Sequence, residues 1–220
     1  MATLKNGVEF SQLGDQSSSL ADSVRNAFRL ATERLIALQD PEGYWCGELE
    51  GDSILESEYI LLKFILEKEQ DPRLPKIAIH LRSQQRRSDG AWIQYPGAKP
   101  DLSATVKAYF ALKLMGDDLR DEHMAKAREL ILSLGGAERC NTYTRFYLAA
   151  LGQIPYGSLP SIPPEIVLLP TWFPFHLRKI SAWSRTMVMP LTIVSSCRPL
   201  RRLAAAQGIA ELYANPRYAR

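Results

Sequence analysis

The stretch ILESEYILLKFIL, residues 54–66, decides the fold class. Tyr59, Ile60, Leu61, Leu62, Phe64, Ile65 and Leu66 surround a helix of this sequence almost continuously, and such a helix must be buried on most sides. Its neighbours differ. Upstream, Val24, Phe28, Ala31, Leu35 and Leu38 recur at steps of four and three, which places them on one stripe of a helix with a wet face. Downstream the alternation repeats. An amphipathic helix through Ile77 and Leu81 precedes a greasier one through Val106, Tyr109, Phe110, Leu112 and Leu114. Another amphipathic helix through Met124 and Leu130 precedes an apolar one around 146–151. Outer and inner helices are laid down in pairs, punctuated at nearly even spacing by Gly43, Gly90 and Gly136. Pairs of this kind stack as an open solenoid or close into a ring, and the greasy inner helices favour the ring. The fold class read from the sequence is all-α, an α/α barrel of alternating inner and outer helices, incomplete at its C-terminus.

The flanks bound this reading. Residues 1–18 are polar and rich in Ser, Gln and Gly and read as a loose arm, which leaves 19–220 as the barrel domain. After Gly152, Pro155, Pro160, Pro163, Pro164, Pro170 and Pro174 break regular helix. A helix resumes near Ser181, with Pro190 inside its apolar run, and the tail carries a weak helix in LAAAQGIAELYA, residues 203–214.

With 27 Lys plus Arg against 24 Asp plus Glu, the 220-residue chain carries a formal charge of +3 without a dense basic stripe, which argues against nucleic acid. Cys46, Cys140 and Cys197 are isolated and odd in number, so they read as packing residues of a reducing compartment. His80, His123 and His176 are equally scattered, and neither a metal nor another cofactor is assigned. The start lacks the apolar core of a secretory signal, and no stretch reaches the ~20 apolar residues of a spanning helix. Attachment to a bilayer surface needs only an apolar patch.

Two short motifs link the helical pairs. Gln39, Gly43 and Trp45 fit Gln-x-x-x-Gly-x-Trp, and Gln85, Gly90 and Trp92 form a second version with one more residue between glutamine and glycine. The amide is suited to backbone groups left open at a helix end and the indole to packing against it. With these motifs and the blocks GYWCGELEGDSILESEYILL (43–62), DGAWIQYPGAKPDLSATVKAYFALKLMG (89–116), GGAERCNTYTRFYLAALGQIP (135–155) and PPEIVLLPTWFPFHLRKISAWSRTMVMPL (163–191), the sequence resembles the amino-terminal half of the squalene-hopene cyclases.

That resemblance implies two helical barrels with a hydrophobic cavity between them, a channel opening toward the membrane, and a peripheral position on its cytoplasmic side. It implies cyclisation of squalene or a similar polyprenyl chain in hopanoid or triterpenoid synthesis, begun by an aspartic acid of an Asp-x-Asp-Asp motif in the second barrel. No such motif occurs in these 220 residues, so no catalytic residue is assigned. Asp117, Asp118 and Asp121 read as a solvated turn leading into a helix. By resemblance, Trp183, Tyr147, Glu58 and Asn141 line the substrate cavity, and Ile180 and Val188 line the entrance channel. Tyr147 replaces a tryptophan of some relatives, and Lys107 stands where some carry an acidic residue. A carboxylate in so apolar a helix demands a partner or water at Glu58. The expected partners are the substrate and a membrane surface, with a separately encoded second barrel and a homodimer left open. Two functional readings share this fold: one barrel of a cyclase, or a catalytically silent truncated or split-gene product acting at most as an assembly partner.

Overall fold

The computed structural model describes residues 9–47, 51–174 and 176–215, and for 9–18 the backbone alone. The chain divides into two compact units, 1–50 and 51–220. Among the described residues every regular element is helical.

The first unit consists of α1, Glu9–Ala37, and the turn after it. The helix starts at Glu9, inside the stretch 1–18 read above as a loose arm. Its Ser- and Gln-rich sequence holds no proline to stop a helix from running backward from the apolar stripe.

The second unit begins with α2, Ile54–Ile65, and α3, Leu74–Ser83. Then come α4, Leu102–Leu114, and α5, Glu122–Ser133. Thr142–Ala150 forms α6 and Ala182–Cys197 forms α7. The inner helix is α4: every residue from 103 to 112 is buried, Lys107 included. Asp101 starts it, its carboxylate accepting the Ala104 N–H at 2.8 Å. On its flanks, α3 buries Leu74, Ala78 and Leu81, and α5 buries Met124, Ala127 and Ile131, one stripe each. α2 packs along α4 through Ile60, Leu61 and Phe64. Its other side differs from the all-round burial its composition suggests: Leu55, Leu62 and Leu66 are exposed, because no described element of the unit covers that stripe.

Between α6 and α7 the proline-rich stretch forms only short 3-10 turns. α7 runs unbroken through Pro190 and buries only Thr192. The tail is not the weak helix its composition suggests. Two 3-10 turns, Ala205–Gln207 and Ala210–Leu212, lie in an irregular strap that sinks Ile209, Leu212 and Tyr213 into the core. Bonds to other elements replace those a helix would have made: Ile209 N–H donates to Gln153 Oε1 at 2.9 Å, and Glu138 accepts the N–H groups of Ala214 and Asn215.

Candidate functional site

Three helices bring a polar cluster together inside the apolar unit. Glu58 projects from α2, Lys107 from α4 and Tyr147 from α6. Lys107 Nζ lies 2.6 Å from Glu58 Oε1, the lysine side chain being 3% exposed and the glutamate 24%. The Tyr147 hydroxyl donates to Glu58 Oε2 at 3.4 Å. Both carboxylate oxygens are therefore engaged. Burial and, after it, the charge of Glu58 push the Tyr147 hydroxyl up to about 12. Asn141 stands apart from this cluster in its bonding. It is exposed at the start of α6, its side-chain oxygen accepts the Thr144 N–H at 2.9 Å, and its own N–H donates to Ser103 Oγ.

The aromatic candidates occupy another region of the unit. Trp183, in the first turn of α7, is 75% exposed; Ile180, just before that helix, and Val188 within it are half-buried. Trp172 is exposed and meets Phe173 edge to face at 6.1 Å. Phe175, read as part of the same greasy surface, lies outside the described residues.

The two glutamine motifs make the same bonds. Gln39 Nε2 donates to the Gly43 carbonyl at 2.7 Å, and Trp45 Nε1 to the Leu35 carbonyl at 2.7 Å. Gln85 Nε2 donates to the Gly90 carbonyl at 2.9 Å, and Trp92 Nε1 to the Leu81 carbonyl at 2.8 Å. The extra residue of the second motif is taken up between glutamine and glycine, where Asp89 pairs with Arg86 at 2.5 Å. The second amide also reaches the His123 carbonyl, tying the end of α3 to the start of α5.

Other polar links were not foreseen. Asp117, expected in a solvated turn, has a side chain only 5% exposed, gripped by Arg82 through two bonds of 2.5 and 2.8 Å and by His123 Nε2 at 2.7 Å. Lys113, half-buried at the end of α4, pairs with Glu211 of the strap at 2.6 Å and donates to the Gly208 carbonyl, while Tyr109 donates to the same glutamate at 2.9 Å. The one available signal is that Lys107 and Lys113 are the only charged residues of the largely apolar helix 102–114 and need carboxylates from elsewhere in the chain. Of the cysteines only Cys140 packs inside; Cys46 and Cys197 are exposed, and all three are free thiols. Among the described residues no group of three or more His, Cys, Asp or Glu is placed to hold a metal ion, and no helix is long and apolar enough to cross a membrane.

Residues 28–220 match the model of the squalene-hopene cyclase N-terminal domain. The chain belongs to the squalene-hopene cyclase family. It is 42% identical over 186 residues to squalene–hopene cyclase of Zymomonas mobilis, covering 84% of this chain and 28% of that protein. It is 45% identical over 184 residues to a probable squalene–hopene cyclase of Sinorhizobium fredii, covering 83% and 28%. A more distant relative, dammaradiene synthase of Dryopteris crassirhizoma, is 33% identical over 191 residues, covering 87% and 28%. The chain thus spans under a third of these relatives' length. All the cyclase-family candidates described above fall within the matched residues.

Proposed function

We propose that this domain supplies part of the wall of a cavity in which squalene or a similar polyprenyl chain is cyclised through carbocations, in hopanoid or triterpenoid synthesis. The observation that carries the reading is the match of 28–220 to the N-terminal domain of the squalene-hopene cyclases. Such chemistry requires an acid to protonate an alkene, a dry cavity to shape the chain, and π-faces that stabilise cations without trapping them.

Trp183 is the π-face in this reading. Its indole is largely uncovered by the described residues, so the second barrel of the enzyme completes the dry surroundings in which its charge stabilisation reaches ~2 kcal/mol. Ile180 and Val188 form the entrance beside it. Glu58 and Tyr147 form the polar end of the cavity, where the final cation loses its proton, and Lys107 fixes the carboxylate that faces it. Asn141 belongs to that end through the helix it caps. The initiating acid lies outside these 220 residues, which contain no Asp-x-Asp-Asp. The substrate is dissolved in the bilayer, so the enzyme attaches peripherally to the cytoplasmic face, with the exposed Trp172 and the Phe173 ring beside it as part of the greasy surface.

Two experiments test this. The purified chain incubated with squalene in micelles yields no pentacyclic product by mass spectrometry. Turnover that survives purification and disappears in Glu58→Gln would make Glu58 the acid and overturn the assignment. In the intact cyclase, Trp183→Ala lowers kcat/KM by about 30-fold, the equivalent of ~2 kcal/mol, while Trp183→Phe retains most of it. An unchanged kcat/KM in Trp183→Ala removes the indole from the cavity wall.

A further inference from the structure

Among the described residues five buried side-chain polar atoms lack a hydrogen-bond partner, and two of them belong to residues that meet at one histidine. Glu56 stands in the first turn of α2, while His80 and Gln84 are one helical turn apart at the end of α3. His80 Nε2 lies 3.9 Å from Glu56 Oε1 and 3.0 Å from the Gln84 amide nitrogen. The unpartnered atoms are Glu56 Oε2 and Gln84 Oε1, both acceptors, and leaving a buried acceptor open is costly. In the tautomer whose Nε2 carries no proton, His80 is a third acceptor beside them. A water donates to two acceptors and leaves the third open, whereas a cation serves all three. Donors about 2.0–2.2 Å from one ion lie about 3 Å apart at right angles and up to about 4.2 Å apart across it, and both separations at His80 fall within that span. A half-turn of the Gln84 amide exchanges its oxygen and nitrogen with little change of shape and puts Oε1 where the nitrogen now faces His80.

We propose that Glu56, His80 and Gln84 bind a divalent transition-metal ion of the zinc, cobalt or nickel class, with water completing its coordination. An imidazole joined to a carboxylate and an amide oxygen is a donor set of intermediate softness, which suits these ions better than magnesium or calcium. The third donor is an amide, so the set holds only two side chains of the His, Cys, Asp and Glu kinds. The His80 side chain is 46% exposed and that of Glu56 24%, so an ion enters from solvent and the ligands behind the imidazole are already partly dehydrated. All three ligands stand on or at the end of helices, which hold them in place before the ion arrives. Once bound, the ion clips the first turn of α2 to the end of α3. The site shares no residue with the cavity wall proposed above and stands separately from it.

The test is titration of the full chain, freed of metal by a chelator, with Co²⁺ alone, followed by visible absorption and by thermal unfolding. The parent takes up one equivalent, shows d–d bands without thiolate-to-metal charge transfer, and gains Tm as Co²⁺ is added, because the ion binds the folded chain. Glu56→Gln and His80→Ala each weaken binding by about 100-fold, the upper end of what losing even an outer partner of a ligand costs. Gln84→Glu, which exchanges the amide for a carboxylate at the same place, tightens it. His123→Ala leaves binding unchanged, which separates the site from the His123–Asp117 pair. Circular dichroism identical to the parent's shows that the variants are folded. Three results overturn the proposal: no saturable binding by the parent, which leaves His80 and Gln84 satisfied by their own hydrogen bond; unchanged affinity in His80→Ala or Gln84→Glu; or a thiolate band that disappears in Cys46→Ser/Cys197→Ser, the two exposed thiols.

Discussion

Replacing Glu58 by leucine leaves the Lys107 ammonium 3% exposed with no opposite charge at 2.6 Å, whereas replacing Lys107 by methionine leaves a carboxylate that is 24% exposed and still bonded by Tyr147. The two halves of the pair should therefore be unequal. Stranding a buried charge costs about 3–5 kcal/mol, so Glu58→Leu falls near the lower end of that range and Lys107→Met, with water and a hydroxyl in reach, costs about 1–2 kcal/mol. The double variant Glu58→Leu/Lys107→Met removes both charges from an apolar site and comes within about 1 kcal/mol of the parent. For a chain of this size, Glu58→Leu lowers Tm by roughly 6–12 °C, at about 2–4 °C per kcal/mol. Thermal unfolding of the four proteins followed by circular dichroism gives the cycle directly. If Lys107→Met is the more damaging single change, or if the two losses simply add, the pair is not the buried, asymmetric one described.

Three further outcomes follow from the motifs and the outer helices. Gly90→Ala is destabilising by about 3 kcal/mol or more, because a Cβ there lies 2.7 Å from Lys126 Cβ and 2.9 Å from the Ala127 nitrogen, whereas at Gly43 it meets only Gln39 at 4.0 Å and costs about 1 kcal/mol from its positive φ; equal losses in urea unfolding would refute the close approach. Trp92→Phe leaves the buried Leu81 carbonyl without its indole donor and costs about 1–3 kcal/mol, while Trp45, 54% exposed, loses a bond that water replaces and costs under about 1 kcal/mol. Burial pushes the Asp117 carboxyl up, but the bonds from Arg82 and then His123 outweigh it and hold the group below the usual carboxylate range. A depressed folded value gives stability that is full above the unfolded pKa of about 3.9 and is lost as pH falls through the folded one. Acid titration of unfolding should therefore show a shallower fall below about pH 4 in Asp117→Asn, which is already less stable at neutral pH, and an identical slope would contradict this.

The all-helical class and the pairing of greasy with amphipathic helices are legible because period and composition carry them: α4 is apolar around its circumference, and α3 and α5 each carry one stripe. What composition does not carry is which neighbour covers a given face. The stripe of Leu55, Leu62 and Leu66 looks like core in the sequence and is exposed in the unit. The reverse holds for Asp117, whose acidic surroundings suggest water while Arg82 and His123 enclose it. The strap is illegible for a related reason: its backbone groups are satisfied by Gln153 and Glu138, distant in sequence, and no local propensity records that. At the candidate site the need for a partner at Glu58 follows from its apolar helix, and both Lys107 and Tyr147 lie in other helical segments, so their meeting is a tertiary fact.

The measurement that bears most directly on the domain as a cavity wall is photo-crosslinking with a squalene analogue carrying a benzophenone, followed by peptide mapping. The account predicts attachment in the peptides containing Trp183 and Tyr147, abolished by excess squalene. Attachment spread evenly along the chain, or confined to residues 9–47 and insensitive to squalene, would contradict it.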